Sequence, residues 1–276
     1  MLDDWKHDAT RRAKAALIDT SVPNAARVWD YLSGGRNNFE ADRKAARTMA
    51  AASVMGATAV AARAFQRRAV RYLVAEAGVR QFLDIGAGLA MAGSTHEAAQ
   101  ALVPECRVVY VDNDPVVLSH ARALLRSAPG GAIDYLDSDV RDAAGIVSAA
   151  RSTLDFGQPV VILLVTMLAF VPGAEAAAAV AALAEAVPPG SYVVLSHLAS
   201  DADYGVRAAV RQWNSMSDQR LTLRSRAEVA GLVAGLDPVP PGLVPVSAWR
   251  PDAVPGDLAP QPADVPMYGV VARKCV

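Results

Sequence analysis

The sequence predicts an α/β protein in which a helical segment precedes a mostly parallel β-sheet. After Gly78, short runs rich in β-branched residues alternate with helical windows, the pattern of βαβ units whose sheet is covered on both faces. Before Gly78, good helix formers dominate and glycines interrupt them. The last two predicted strands follow one another without an intervening helix, so they are expected to pair antiparallel.

Two regions are expected, an N-terminal helical segment over residues 1–78 and a sheet-containing core over residues 79–276. The helices of the first region are predicted at 24–33, 38–52 and 57–77. Between the first two lies the stretch DYLSGGRNNFEADR at 30–43. Gly34-Gly35 should end one helix, and Asn37 with Glu40 has the spacing of a capping box for the next.

The core is predicted to contain five strands, each followed by a helix. The strands are expected at 81–85, 107–112, 133–139, 160–165 and 192–197, and the helices at 94–102, 115–127, 142–151, 174–186 and 203–216. A last helix is expected at 225–236, followed by strands in LVPVSAWRP and MYGVVARKCV. The Pro-rich stretch 237–266 is interpreted as a surface loop because a strand follows it.

Composition excludes several classes of function. Lys plus Arg number 27 against 28 for Asp plus Glu, so no net basic field attracts nucleic acid and a small-molecule partner is favoured. Cys106 and Cys275 are isolated, which argues against a metal site or a disulfide and fits a reducing cytoplasm. The apolar run from Pro159 to Pro172 is shorter than the ~20 residues of a membrane span, and no signal peptide is recognised, so a soluble cytoplasmic protein is expected.

The chemistry is expected at the carboxyl ends of the strands, where open α/β sheets bind ligands. Strand one ends LDIGAGLA, in which Gly86 and Gly88 permit a sharp turn and a close approach to a ligand. Strand two ends at Asp112, the position from which a carboxylate accepts hydrogen bonds from a ribose. Strand three leads to Asp139, placed to accept from the exocyclic amine of adenine.

Each of these residues also has a structural interpretation. The glycines fit an ordinary tight βα turn, and Asp139 fits a cap for a helix that begins near Asp142. Asp114-Pro115 fits an N-cap followed by the first helical residue, and for Asp114 this interpretation is favoured. For Asp112 and Asp139 together, ligand binding is favoured.

The type of nucleotide follows from the glycine loop. A dinucleotide fingerprint needs Gly or Ala at its sixth position, where this chain has Met91, and that counts against NAD. Asp84 just before the glycines, together with the antiparallel strand pair at the C-terminus, instead matches the plan of class I S-adenosylmethionine-dependent methyltransferases.

The chain resembles an actinobacterial family of S-adenosylmethionine-dependent methyltransferases once described as a domain of unknown function. The resemblance covers nearly the whole chain and is carried by IDTSVPNAARVWDYLSGGRNNF, FQRRAVRYL, QFLDIGAGL, STHEAAQ, VVYVDNDPVVLSHARALL, PGSYVVLSH, LTLRSRAEV, GLVPVSAWRP and MYGVVARK. It implies a seven-stranded sheet of order 3-2-1-4-5-7-6 with S-adenosyl-L-methionine over strands one to three. It implies no known substrate.

The resemblance also implies roles for individual residues. The cofactor loop is Asp84, Gly86, Ala87 and Gly88; Asp112 binds the ribose with Asn113 beside it; and Asp139 with Val140 contacts the adenine. The chain departs from the family pattern at Ala90, Met91, Asn37, Ala62 and Ala169. These departures put the acceptor side in question and leave the cofactor loop intact.

Four further hypotheses concern the acceptor and the methionine end of the cofactor. His197, at the end of strand five, is the candidate general base, although a lone histidine there is more often structural. Met167 and Phe170 are candidates for the floor of the acceptor pocket, or plain core. Arg63 or Arg36 is expected to pair with the cofactor carboxylate. His96 and Glu97 are minor candidates, more consistent with a helix surface.

The loop at 30–43 is predicted to fold as a lid over the ends of strands one and four. Tyr31 would then face the acceptor, and Arg36 or Asn38 would reach the cofactor. The predicted function is methyl transfer to a small molecule. The alternatives are a protein that binds S-adenosylmethionine as a sensor without turnover and, more distantly, an NAD-dependent oxidoreductase.

Overall fold

The computed structural model describes residues 19–89, 93–202, 204–251 and 265–275. Its α-helices are α1 Ala25–Leu32, α2 Glu40–Ala52, α3 Met55–Ala75, α4 Thr95–Gln100, α5 Pro115–Leu124, α6 Ala143–Ala150, α7 Gly173–Glu185, α8 Tyr204–Met216 and α9 Arg226–Leu232. Its strands are β1 Gln81–Ile85, β2 Arg107–Asp112, β3 Ala132–Asp137, β4 Val161–Val165, β5 Tyr192–Leu198, β6 Asp237–Pro238, β7 Val244–Pro245 and β8 Met267–Arg273. Short 3₁₀ helices lie at Met167–Phe170 and Val246–Ala248.

The sheet has the predicted topology. Its described strands run in the order β3-β2-β1-β4-β5-β8-β6, and β7 also pairs with β8. The first five strands are parallel, whereas β8 pairs antiparallel with β5 over their full lengths. The predictions of a mostly parallel sheet and of an antiparallel C-terminal strand are therefore confirmed.

The predicted strand in LVPVSAWRP is largely wrong. Within this stretch, 243–251, the structure has only the two-residue strand β7 and the 3₁₀ turn that follows it. Strand β6 precedes the stretch, and both β6 and β7 pair antiparallel with β8. Pro238 and Pro245 lie within these strands, and proline has no N–H to donate to a sheet ladder. Counted together, the two pieces occupy the position of strand six in the predicted order.

The two faces of the sheet bury separate hydrophobic clusters. On one face, side chains of β1 and β2 such as Phe82 and Val108 share a cluster with Phe65 and Leu73 of α3. On the other face, residues such as Leu83 share a cluster with α6 and α7. Because strand side chains alternate between faces, the central strands read as continuous apolar runs. The N-terminal helices therefore share a hydrophobic core with the sheet.

A buried carboxylate joins the first two helices. Asp42 of α2 is fully buried and accepts hydrogen bonds from the backbone N–H groups of Asn24 and Phe39, at 2.9 and 2.8 Å. The Arg27 Nε of α1 lies 3.1 and 3.0 Å from the two Asp42 oxygens. The predicted capping box of Asn37 with Glu40 is thus wrong, since α2 begins at Glu40 and Asp42 binds back to Phe39.

No single helix in the described part of the chain is long and apolar enough to cross a membrane. The bent pair 40–51 and 55–75 meets the requirements of length and composition only jointly, across a break of 101°.

We expect Asp42→Asn to lower the free energy of unfolding by about 3 kcal/mol, because it leaves the buried Arg27 guanidinium without its anionic partner. The measurement is urea unfolding followed by circular dichroism. Arg47→Gln is the matched control, since its ion pair with Glu40 is exposed and should contribute less than about 1 kcal/mol. A similar, small effect of both substitutions would contradict a structural role for Asp42.

Candidate functional site

A cavity of about 740 Å³ lies at the carboxyl edge of the sheet. Its floor is formed by the loops that follow β1, β2, β3 and β4. Its other walls are α1, α3 and the segment 214–222. The volume is that of a site for one or two small organic molecules.

The glycine loop after β1 has the predicted conformation. Gly86 and Gly88 have φ values of +72° and +64°, which L-residues with side chains rarely adopt. Gly86 also has no room for a side chain, because an added Cβ would lie 2.2 Å from Cγ of Met167. The loop therefore presents bare backbone to the cavity.

Asp112 connects this loop to the end of β2. One carboxylate oxygen accepts the Gly88 N–H at 3.0 Å and the other accepts the Asp114 N–H at 2.9 Å. Burial raises the pKa of Asp112 to about 6, although these backbone hydrogen bonds oppose the shift. Since a carboxylate oxygen has two lone pairs, each oxygen keeps acceptor capacity for a ligand in the cavity.

Asp84 forms a buried network behind the loop. Its Oδ2 accepts hydrogen bonds from the Thr95 hydroxyl at 2.6 Å and from Gln66 Nε2 at 3.1 Å. Burial raises the pKa of Asp84 to about 6, against these hydrogen bonds and the nearby Arg63 charge. Gln66 was not predicted from the sequence, although it lies one helical turn after Arg63 and lines the cavity with it.

At the end of β3, Asp139 and Val140 line the cavity as predicted. The Asp139 carboxylate is engaged by Arg141, whose guanidinium donates to its two oxygens at 2.8 and 2.7 Å. These hydrogen bonds lower the pKa of Asp139. Asn113 also donates to Asp139, at 3.4 Å, and lines the cavity beside Asp112. The ends of β2 and β3 therefore form one polar wall.

The Arg63 side chain extends from α3 to the glycine loop. Its guanidinium makes two long hydrogen bonds, to the Leu89 carbonyl at 3.4 Å and to Gln66 Oε1 at 3.5 Å. Burial lowers the pKa of Arg63, while the charge of Asp84 acts in the opposite direction. With five N–H donors in total, Arg63 keeps donors for an anionic group in the cavity.

The three residues predicted for the lid are not among those that line the cavity. Arg36 is exposed, and the amide of Asn38 donates to the Asp30 carboxylate at 2.8 Å. The Tyr31 hydroxyl is hydrogen-bonded to Arg47. With about 100° between successive residues, Tyr31 lies on a different side of α1 from Trp29 and Ser33, which do line the cavity.

The loop at 30–43 is organised around Asp30 instead. This buried carboxylate accepts the Asn37 N–H at 2.8 Å as well as the Asn38 amide. Gly35 donates its N–H to the Asp30 carbonyl, and an added Cβ on Gly35 would lie 2.1 Å from Asp30 Oδ1. The glycine is therefore required by close contact with this carboxylate.

The end of β4 supplies the other wall of the cavity. Met167 and Phe170, interpreted from the sequence as pocket floor or plain core, both line it, on a 3₁₀ helix that begins after Thr166. Thr166 has a φ of +63°, an unusual conformation for a β-branched residue, and its N–H donates to the backbone carbonyl and the hydroxyl of Ser196. Strained backbone of this kind is concentrated at functional sites. The sequence contained no signal for it.

His197 is not at the cavity, and its predicted role as a general base is wrong. Its side chain is fully buried, with Nδ1 2.9 Å from the Leu198 carbonyl and Nε2 in contact with the Arg224 guanidinium. Burial lowers the pKa of His197 to about 4. Arg224 also donates to the carbonyls of Leu168 and Val171, at 2.9 and 2.8 Å. Arg224, in contact with His197, thus stabilises the 3₁₀ helix and the residue after it through hydrogen bonds to their backbone carbonyls.

The remaining candidates have structural positions. His96 is buried with Nδ1 2.8 Å from the Tyr110 hydroxyl, and Glu97 accepts the Gly93 N–H at 2.6 Å. Of the departures from the family pattern, Ala62 lines the cavity, Ala169 is buried behind it and Asn37 is exposed. Ala90 and Met91 lie outside the described residues.

Across residues 19–89, 93–202, 204–251 and 265–275, no group of His, Cys, Asp or Glu side chains is arranged to hold a metal ion.

Comparisons with known proteins identify relatives that cover most of the chain. A family model described as S-adenosyl methyltransferase matches residues 11–275. A DUF574 family protein from Streptomyces avermitilis MA-4680 is 38% identical with a TM-score of 0.88, and the match covers 93% of this chain and 99% of that protein. A proposed methyltransferase from Thermobifida fusca YX is 36% identical with a TM-score of 0.85, covering 94% and 97%.

A more distant structure shares the fold alone. It is an O-methyltransferase family protein from Burkholderia thailandensis, 17% identical with a TM-score of 0.51, and the match covers 83% of this chain and 62% of that protein. A comparison with curated proteins found no significant match.

The raised pKa of Asp112 predicts a pH-dependent stability. The folded protein holds the Asp112 proton more tightly than the unfolded chain, so ionisation of this group lowers stability as the pH rises from about 4 to about 6. Because asparagine does not ionise, the Asp112→Asn variant should not lose stability in this way. We therefore expect the melting temperature of the variant minus that of the wild type to increase as the pH rises across that range. The measurement is thermal unfolding without added ligand, with the exposed Asp155→Asn as control. A difference that does not change with pH would contradict the prediction.

Proposed function

Because the chain belongs to the S-adenosyl methyltransferase family, we propose that it methylates a small molecule held between the N-terminal helices and the end of β4. The protein is an S-adenosyl-L-methionine-dependent methyltransferase. The observation that supports the location of its acceptor is a continuous cavity that extends from Asp139 at the end of β3 to Phe170 after β4. One end of this cavity is acidic and polar. The other, called the apolar end, contains Trp29, Phe170 and Ala62 beside the polar segment 218–222.

The polar end fits the nucleoside part of the cofactor. We assign the ribose hydroxyls to Asp112, whose oxygens each accept one backbone hydrogen bond and keep a further lone pair. Asn113 lies beside this carboxylate, and Asp139 with Val140 is assigned to the adenine. Arg141 already donates to both Asp139 oxygens. To bind an exocyclic amine, Asp139 must therefore accept hydrogen bonds from the amine and Arg141 together, or lose its hydrogen bonds to Arg141.

The middle of the cavity fits the methionine part. Gly86, Ala87 and Gly88 bring bare backbone to the cavity, and Arg63 is assigned to the carboxylate because its guanidinium keeps free donors beside the loop. Asp84 positions Gln66 and Thr95 and balances part of the Arg63 charge. The bound cofactor supplies an activated methyl group on a cationic sulfur.

The apolar end fits the acceptor. Methyl transfer is an in-line displacement, so the main task of these side chains is to align the acceptor and to exclude water. Met167, which packs against Gly86, lies where the two parts of the cavity meet. Phe170 and the α1 residue Trp29 continue this wall.

We further propose that the protein acts in the cytoplasm and does not bind nucleic acid. The near balance of 27 basic and 28 acidic residues supports a small, uncharged or weakly charged acceptor rather than a polyanion. Cys106 and Cys275 are both free thiols, consistent with a reducing compartment.

Two ligands separate the roles assigned to Arg63 and Asp112. S-adenosylhomocysteine carries both the nucleoside and the amino-acid end, whereas methylthioadenosine lacks the carboxylate. We expect Arg63→Gln to lower the affinity for S-adenosylhomocysteine at least about tenfold, because this ligand loses a charged hydrogen bond. The affinity for methylthioadenosine should stay within about twofold of the wild-type value. Asp112→Asn should weaken both at least about tenfold. Isothermal titration calorimetry measures the affinity of the wild type and of each variant for both ligands.

Arg47→Gln is the matched control, because Arg47 pairs with Glu40 on the surface and does not line the cavity. If Arg63→Gln weakened both ligands equally, Arg63 would support the fold of the site rather than bind the carboxylate. If the wild type bound neither ligand, the placement of the cofactor would be wrong.

A further inference from the structure

The acceptor end of the cavity contains aromatic and apolar side chains beside polar residues of the segment 218–222, such as Asp218 and Arg220. Trp29 comes from α1, Phe170 from the 3₁₀ helix after β4, and Leu221 from the segment after α8. Ala59 and Ala62 of α3 complete this wall with small side chains. The wall therefore combines the aromatic rings of Trp29 and Phe170 with the small side chains of two alanines.

Hydrogen bonds hold these pieces in place relative to one another. The Trp213 indole N–H donates to the carbonyl of Gln219, whose side-chain Oε1 accepts the Ala25 N–H at 2.8 Å. Asn214 makes a pair of hydrogen bonds with the backbone of Leu221, at 2.9 and 2.7 Å. The segment 219–221 is thereby fixed both to α8 and to the first turn of α1. Trp29 lies on the same helix, one turn further along.

Phe170 is held from the other side. Its ring packs edge-on against Trp213, with ring centroids 6.3 Å apart and an interplanar angle of 74°. Next to it, the Ala169 carbonyl accepts the Thr222 N–H at 2.7 Å. The helix that carries Trp29 and the ring of Phe170 are thus both connected to Trp213 and the segment 219–222, and both residues line the cavity. Side chains that are already fixed lose little conformational entropy when a ligand binds.

We propose that the acceptor is a planar aromatic molecule whose ring contacts Trp29 and Phe170. Aromatic pairs gain energy beyond the area that they bury when they meet offset or edge to face, and a saturated ring of similar size does not have this gain. The alanines of α3 leave room for a flat ring beside the two aromatic side chains. This inference rests on the proposed placement of the acceptor at the apolar end of the cavity.

The test compares two bicyclic compounds with the same carbon framework and one hydroxyl group, of which one has aromatic rings and the other saturated rings. The leucine variants separate the contribution of the rings from that of the hydroxyl. 2-Naphthol and decahydro-2-naphthol are each titrated by equilibrium dialysis, with and without saturating S-adenosylhomocysteine. We expect the wild type to bind 2-naphthol roughly tenfold more tightly, the combined effect of two aromatic contacts. Trp29→Phe should keep most of this preference, whereas Trp29→Leu and Phe170→Leu should each reduce it severalfold. Phe39→Leu is the matched control, since Phe39 is exposed and does not line the cavity.

Equal binding of the two compounds by the wild type would overturn the inference. An unchanged preference in both Trp29→Leu and Phe170→Leu would overturn it as well. The affinity for S-adenosylhomocysteine is measured in the same samples and should be unchanged in all four variants. Failure of the wild type to bind S-adenosylhomocysteine would count against the proposed function, while the ring preference is still determined in the unliganded samples. The two failures are therefore distinguishable.

Discussion

The hydrogen bond from the Gly88 N–H to the Asp112 carboxylate joins the two loops on which the site depends. It forms because β1 and β2 are parallel neighbours, with Ile85 opposite Val111, so their following loops leave the sheet side by side. The glycine loop turns back only because Gly86 and Gly88 adopt left-handed conformations. Burial of the carboxylate raises its pKa, and Asp112 lines the cavity.

Buried carboxylates have a second, purely structural use in the N-terminal helices. Asp42 binds Arg27 and two backbone N–H groups, and Asp30 binds the turn between α1 and α2. Through these contacts the helices form a stable wall rather than a loose appendage. The hydrogen bond between Ala25 and Gln219 then connects that wall to the segment after α8. The acceptor end of the cavity is consequently built from parts of the chain that are distant in sequence.

The residues proposed to bind the cofactor could be located in the sequence because they lie at or next to the ends of predicted strands. A buried parallel strand has an unmistakable apolar pattern, and the residue after it must lie at the carboxyl edge of the sheet. Asp84, Asp112 and Asp139 were all located in this way, with a family resemblance to support their roles. The same rule failed for His197, because β5 is covered on both faces and the histidine points into the core.

The N-terminal loop shows a different limit. Tyr31 and Arg36 were predicted to line the site because an ordinary turn does not require them. In the structure, Trp29 and Ser33 line the cavity instead. Which side of a short helix faces a cavity depends on how that helix packs, and α1 is oriented by Arg27, Asp42 and Gln219 rather than by its own sequence pattern. A periodic pattern identifies a buried face without distinguishing core from cavity.

By itself, the sequence determined the order of helices and strands, the antiparallel last strand and the glycine-acid-acid series at the sheet edge. These properties are local, since they depend on periodicity and on the residues next to each strand end. Only the tertiary structure decided that His197 is buried beside Arg224, that Arg141 engages Asp139, and that Trp29 and Phe170 border one end of the cavity. Arg141 and Asp139 are only two residues apart, whereas the other arrangements join residues distant in the chain. In both cases, burial and hydrogen bonding between side chains are decided only in the folded protein.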